Sequence, residues 1–335
     1  MRTFLRIVKS ALILAQLPML AGWVWLYLER RPAPGGEPGA LLFEIEKGRS
    51  VGAIAQALRS EGIISKKTLF RLRYEFFYAR RSIRAGEYQL PRSGSLRDIL
   101  ETLIKGRVYL HPVTIAEGLT TGETIEAFLA AGFGPREEFL DVSSATDDLA
   151  GLDPRATDLE GYLFPETYLL PKGTPPREIC RKMTEQFRAV FAEPWRRRAS
   201  EIGLTVRQTV TLASLIEKET SLPEERRLVS AVFHNRLRVG ARLDCDPTII
   251  YVLRVKGAYA GRLHARDLKI DSRYNTYLYP GLPPGPICSP GRESLEAALY
   301  PADSDYFYFV SKNDGSHHFS RTLREHALAV ARYQK

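Results

Sequence analysis

Apolar positions recur along the chain in two alternating rhythms, a short period-two run followed by a longer helical one. LLFEIEKGRSVGAIAQALRSEGII, residues 41–64, predicts a strand, a turn at Gly48, an N-cap at Ser50 and an amphipathic helix closing near Gly62. Seventy residues on, VTIAEGLTTGETIEAFLAAGF repeats the scheme, pairing Ile45 with Ile115, Gly48 with Gly118, Ser50 with Thr120, Leu58 with Phe128 and Gly62 with Gly132. Two copies are too few for a solenoid, so a duplicated or convergent strand-helix unit is expected. Between them, SIRAGEYQLPRSGSLRDILETLIKG predicts a strand around Glu87 to Leu90, an N-cap at Ser95 and a helix ending at Gly106. Farther on come a helical middle (Pro175 to Ile202, then Val206 to Val239) and a Pro/Gly/Tyr-rich C-terminal part. Within that part YNTYLYPGLPPGPICSPG, Tyr274 to Gly291, reads as a rigid rim, because proline fixes φ and lowers the entropy cost of an open loop. YFYFVSKNDGSHHFS predicts a hairpin turning at Asn313, Asp314 and Gly315; His317 and His318 fall on opposite faces of its return strand, a poor arrangement for a metal.

The N-terminus follows a different pattern. Ala11 to Leu28 is uncharged and at ~1.5 Å per residue reaches ~27 Å, about one hydrocarbon core. Arg2, Arg6 and Lys9 precede it, Arg30 and Arg31 follow it, and no small-residue cleavage site ends it. The expected organisation is a cytoplasmic tip and retained single-pass transmembrane anchor over 1–29, a Pro/Gly linker over 30–40, a small α+β module over 41–108 and a larger α+β domain over 109–335. Everything after the anchor is then exported, with the larger domain on the outer side of a cytoplasmic membrane.

Composition adds less. Net charge +9 in 335 residues points to acidic partners, and the basic residues are spread rather than clustered, so nucleic acid is not expected among them. Cys180, Cys245 and Cys288 are far apart and odd in number, against a disulfide framework or a zinc site.

The candidate chemistry lies in TLASLIEKETSLPEE, residues 211–225. At about 100° per residue, Glu219 falls about 180° from Val210, between Leu215 and Leu212 in the middle of the apolar arc, whereas Glu217 falls on its border. One reading makes EKE a solvated last turn. The other starts a second helix at once, with Ser221 as N-cap and Glu224 completing a capping box, so that the junction turns a carboxylate into a cleft. Burial there would raise it toward ~6 or 7, where a carboxyl group donates a proton at neutral pH, as glycosidic cleavage requires. Asp244 and Asp246 are the nearby second carboxylates that two-carboxylate hydrolysis would need; Asp246 also reads as an N-cap or loop organiser ahead of Thr248.

Six blocks in order carry a resemblance: LEGYLFPETYLLP, LASLIEKET, VFHNRL, DPTIIY, the Tyr274 to Gly291 loop and the C-terminal hairpin. With them the chain resembles the endolytic murein transglycosylases of the YceG-like family. The resemblance implies a LysM-like module over 41–108 and a lysozyme-like catalytic domain over 109–335. Its catalytic acid and base maps onto Glu219, which would protonate the linkage from N-acetylmuramic acid to N-acetylglucosamine and then activate the muramyl 6-hydroxyl, giving 1,6-anhydro ends. No cofactor is implied. Implied partners are nascent peptidoglycan strands, the inner membrane and the penicillin-binding synthases, with strand termination as the outcome.

Asn235, Thr248, Tyr251, Tyr274 and Asn275, with Glu160 and Tyr162, have the hydrogen-bonding and stacking character of sugar subsites; each alone is more often a structural brace, and it is as a set in matching blocks that they become candidates for the cleft lining. Two other functions stay open at this point: a lysozyme-type hydrolase of the same substrate, and a non-catalytic glycan-binding scaffold of the envelope.

Overall fold

A computed structural model describes residues 39–334 apart from Ser93; the anchor expected over Ala11–Leu28 lies outside the described residues, as does most of the linker. Among the described residues no helix is long and apolar enough to cross a membrane. The architecture is mixed α+β, with 12 α-helices and three two-stranded sheets among those residues. The chain divides into two compact units, one running through His111 and including Leu169–Lys172, the other holding Pro112–Tyr168 and Gly173 onward.

The first unit runs β1 (Ala40–Ile45), α1 (Val51–Ser60), α2 (Lys67–Tyr78), β2 (Gly86–Pro91) and α3 (Leu96–Lys105). β1 and β2 pair antiparallel with Phe43 opposite Tyr88 and Leu41 opposite Leu90. Alternation sends Phe43, Ile45, Tyr88 and Leu90 inward, against Ile54 and Leu58 of α1, Phe70 of α2 and Leu103 of α3. Ser50 and Ser95 cap their helices through Ala53 N and Asp98 N, and Gly106 closes α3 in the left-handed region.

The repeat predicted across 70 residues is real in the backbone. β3 (Leu110–Thr114) and α4 (Thr121–Ala130) stand where β1 and α1 stand in the first copy, and Thr120 caps α4 through a complete capping box with Glu123. The aligned apolar pairs Ile45 and Ile115, Leu58 and Phe128, are all buried.

The chain continues with α5 (Arg136–Ser143) and β4 (Thr167–Pro171), which pairs with β3 and whose Leu169–Pro171 count with the first unit; the second unit then holds α6 (Pro176–Val190), α7 (Glu193–Glu201), α8 (Val206–Glu219), α9 (Pro223–Arg238), α10 (Asp246–Val255), α11 (Arg292–Leu299), β5 (Tyr308–Ser311), β6 (His317–Ser320) and α12 (Leu323–Tyr333). The helical segment expected over Pro175–Ile202 consists of two helices, separated at Phe191–Ala192 ahead of Pro194. α8 is the hub, packed by α7, α9, α10 and α11.

One expectation fails here, the rigid rim over Tyr274–Gly291. α8 has no solvent face in its middle: Thr209, Thr211 and Ser214 are as buried as Val210, Leu212, Leu215 and Ile216. What covers its polar side is the proline-rich stretch itself, which turns inward over Gly285–Pro290 and is no rim there. Irregular backbone can be buried only if its polar groups are met. Ser214 Oγ accepts from Ile287 N at 3.1 Å, Cys288 Sγ donates to Ser214 O, and Ser289 exchanges backbone bonds with Gly118 and Leu119. The prolines bring no N–H to satisfy.

Candidate active site

α8 starts under a capping box of Thr205 and Gln208 and stops at Glu219, because Thr220 is extended (φ −141°, ψ 136°) and Pro223 opens α9. The cap of α9 is not the predicted one: Leu222 holds the N-cap position without a side-chain bond, and the Leu222 N–H is met by Thr220 Oγ1 at 3.1 Å. Ser221 and Glu224 form no capping box. The two helices therefore meet through Thr220, with Glu219 on the last turn of α8.

Glu219 lines a cavity of about 680 Å³, within the range of small-ligand sites. Arg236, Asp244, Asp246, Tyr277, Tyr308 and His317 line it too. Burial pushes the Glu219 carboxyl up to about 7, a hydrogen bond from the Cys245 thiol and the Arg236 charge pull the other way, and Asp246 adds to the rise. At neutral pH a large share of the group is then protonated and able to donate. Cys245 is fully buried, its own thiol raised by burial and by Glu219. Asp246 opens α10 at its first position, not its N-cap, and accepts from the Tyr277 hydroxyl at 2.5 Å. Arg236 is fixed by bonds to Phe307 O (2.7 Å) and Leu243 O (2.8 Å), and its guanidinium stacks over Tyr308. All three cysteines are free and buried, and no group of three or more metal-ligating side chains occurs among the described residues.

Glu217 is on the other side of α8. Its side chain is 8% exposed, accepts from Gly291 N at 2.9 Å and stands 3.8 Å from Arg226, which also meets Glu117 and Glu293. Its geometry ties the buried loop to α8.

The other predicted site residues do not line this cavity. Asn235 braces the C-terminal part, donating to Ser304 O and Tyr306 O. Thr248 is wholly buried between Cys245 O and Thr276 Oγ1, and Asn275, also wholly buried, organises its own loop through Leu268 O and Ile270 O. Tyr162 is a core residue whose hydroxyl donates to Asp153 at 2.5 Å. Glu160, Tyr251 and Tyr274 do come together. Thr121 N donates to Glu160 Oε1, the Tyr251 hydroxyl is hydrogen-bonded to the same carboxyl, and the two tyrosine rings lie 5.1 Å apart. Burial pushes Glu160 up to about 8, so it is a neutral acid at pH 7.

Sequence reasoning missed Arg236, Tyr277, Tyr308 and the facing thiol of Cys245. Their common signal is proximity in sequence to the recognised blocks, which does not show which way a side chain turns.

Comparison with known proteins sharpens the picture. Residues 43–332 match the YceG-like family. The chain is 32% identical over 308 residues to an endolytic murein transglycosylase of Bacillus subtilis, covering 86% of this chain and 83% of that one. It is 30% identical over 324 residues to one of Streptococcus pneumoniae, covering 86% of this chain and 57% of that longer one. A crystal structure of a yceG-like protein from Listeria monocytogenes superposes with a TM-score of 0.58 at 29% identity, over 88% of this chain and all of the other. By the extent of these matches, the chain belongs to the YceG-like family.

Proposed function

We propose that the protein is a peptidoglycan lyase, an endolytic transglycosylase that breaks the N-acetylmuramic acid to N-acetylglucosamine linkage with Glu219 as acid and then base. The observation that carries this is a carboxyl raised to about 7 on the wall of a sugar-sized cavity, in a chain whose relatives bear that name. Protonated Glu219 gives its proton to the bridging oxygen as the C1–O bond breaks. The resulting carboxylate takes the proton of the muramyl 6-hydroxyl as that oxygen bonds to C1, so the acid is restored and an anhydro end forms. No cofactor enters the proton balance. Arg236 and the Cys245 thiol stabilise the carboxylate between the two steps.

Asp244 and Asp246 share the cavity with Glu219, which keeps a second reading in view: a muramidase in which one of them steers a water. Digestion of purified glycan strands separates the two. Anhydro-ended fragments are expected, lost in Glu219→Gln by about 10³-fold or more and kept within about twofold in Glu217→Gln. Fragments heavier by one water make the protein a hydrolase; full cleavage by Glu219→Gln removes both enzymatic readings as assigned to Glu219, and absence of cleavage by the unaltered protein leaves the envelope scaffold.

The wider setting belongs to the same proposal. Ala11–Leu28 is a single-pass anchor holding the catalytic unit outside the cytoplasmic membrane, beside the penicillin-binding synthases whose strands it terminates. The β-α-α-β order and antiparallel pairing of the first unit support a LysM-like, glycan-holding module. Glu160, Tyr251 and Tyr274, with their paired rings, suit a more distant sugar subsite.

A further inference from the structure

His317, on the wall of the Glu219 cavity, is paired with a buried carboxylate that the proposed chemistry does not use. Glu225, in the first turn of α9, is buried, with both carboxyl oxygens committed: Oε1 accepts from His317 N at 2.8 Å, and Oε2 faces His317 Nδ1 at 2.6 Å and accepts from Thr220 Oγ1 at 3.4 Å. The His317 side chain is 11% exposed and lies edge-on to Phe309 and Phe319, so the ring cannot turn without losing both contacts. A carboxylate can only accept, so Nδ1 carries the hydrogen. Nε2, which has no hydrogen-bond partner among the described residues, is left for the cavity that His317 lines. The same carboxylate binds the hydroxyl of Thr220, the residue next to Glu219. Glu225 thus ties the end of α8 that bears the acid to the hairpin that bears the imidazole.

We propose that His317, fixed by Glu225, is a second substrate-contacting residue of this cavity, its Nε2 accepting a hydrogen bond from a hydroxyl or amide N–H of the sugar whose linkage Glu219 breaks. The inference rests on the Glu219 reading. Amino-sugar rings offer several such donors, and a rigidly held ring nitrogen is a group that a subsite wall can turn toward them. The titratable and charged groups sharing the cavity are Glu219 on α8, Arg236 on α9, Arg242 and Asp244 in the loop after it, Asp246 on α10 and His326 on α12, with Tyr277 and Tyr308.

The test uses the full chain and purified glycan strands. His317→Gln is expected to lower kcat/KM at pH 7 at least tenfold, chiefly through KM, while the alkaline decline set by Glu219 is kept. Glu225→Gln offers Nδ1 and the backbone N–H one acceptor in place of two; it should lower kcat/KM similarly, with the double variant no worse than the poorer single one. A readout independent of folding in these variants is the 15N spectrum of histidine-labelled Glu219→Gln protein, where the His317 Nε2 resonance should move on adding intact glycan fragments. Activity within twofold of the unaltered protein in His317→Gln, or an unmoved Nε2 resonance with glycan bound, overturns the proposal. Either result can occur while Glu219 stays essential, so failure of this proposal is distinguishable from failure of the parent reading, which cleavage by Glu219→Gln would show.

Discussion

Glu219 costs the folded protein something for its readiness. Its carboxyl is raised from an ordinary 4.5 to about 7, so between those values the native state holds a proton that the unfolded chain has released. Stability therefore falls as pH rises through that window. Glu219→Gln cannot ionise and should lift stability at pH 8 by on the order of 1–3 kcal/mol while leaving it little changed at pH 4. Thermal melts at the two pH values read the difference, and an equal effect at both would mean that the carboxyl is not raised. Glu217→Gln should behave otherwise: its amide oxygen still accepts from Gly291 N, and removing one of three carboxylates around Arg226 relieves Glu117, raised by its own burial and by Glu217. A stability change within about 1 kcal/mol is expected. At this scale the sequence was readable where helical periodicity applied: Glu219 interrupts an apolar arc, and that arc is buried. It was unreadable for Cys245 and His317, whose orientation depends on partners 26 and 92 residues away in the chain, as the His317 bond to Glu225 illustrates.

Among the elements, local chemistry was legible and tertiary cover was not. Caps at Ser50, Ser95 and Thr120 and the αL close at Gly106 need only neighbours in sequence, and each was predicted. The failure at Ser221 came from Thr220, which satisfies the Leu222 N–H first. The buried proline stretch was read as a rim because its prolines and tyrosines look like a surface loop; only the polar side of α8 explains its turn inward. One glycine makes that turn possible. Gly161 has φ +84°, and a Cβ there would stand 2.5 Å from Pro286 Cβ and 3.0 Å from Val210 Cγ1. Gly161→Ala combines left-handed strain with a clash against the stretch covering α8, and should cost about 2–4 kcal/mol, measured by chemical denaturation. A neutral outcome would mean that the stretch is free to move off the helix.

For the molecule as a whole, the two-copy strand and helix pattern was visible because it repeats at a fixed distance. Leu169–Lys172 join the first unit although they sit deep in the sequence of the second, and no local signal marks such a return. The net charge of +9 is compatible with a polymer whose stem peptides carry carboxylates, which is a matter of attraction and not of fold.

The pairing of Ser289 with Gly118 and Leu119 has a consequence in time as well as in space. Those partners are about 170 residues apart, so the hub helix stays uncovered on its polar side until nearly the whole chain has emerged. Loop closure over that length precedes the reward of the contacts, which makes assembly of the second unit a late, single event. A chain ended after residue 285 should lack a cooperative melting transition in that unit even though α6 to α10 are all present. The cavity of Glu219 likewise stays unformed until the residues that close it, from Tyr308 to Gln334, have been made.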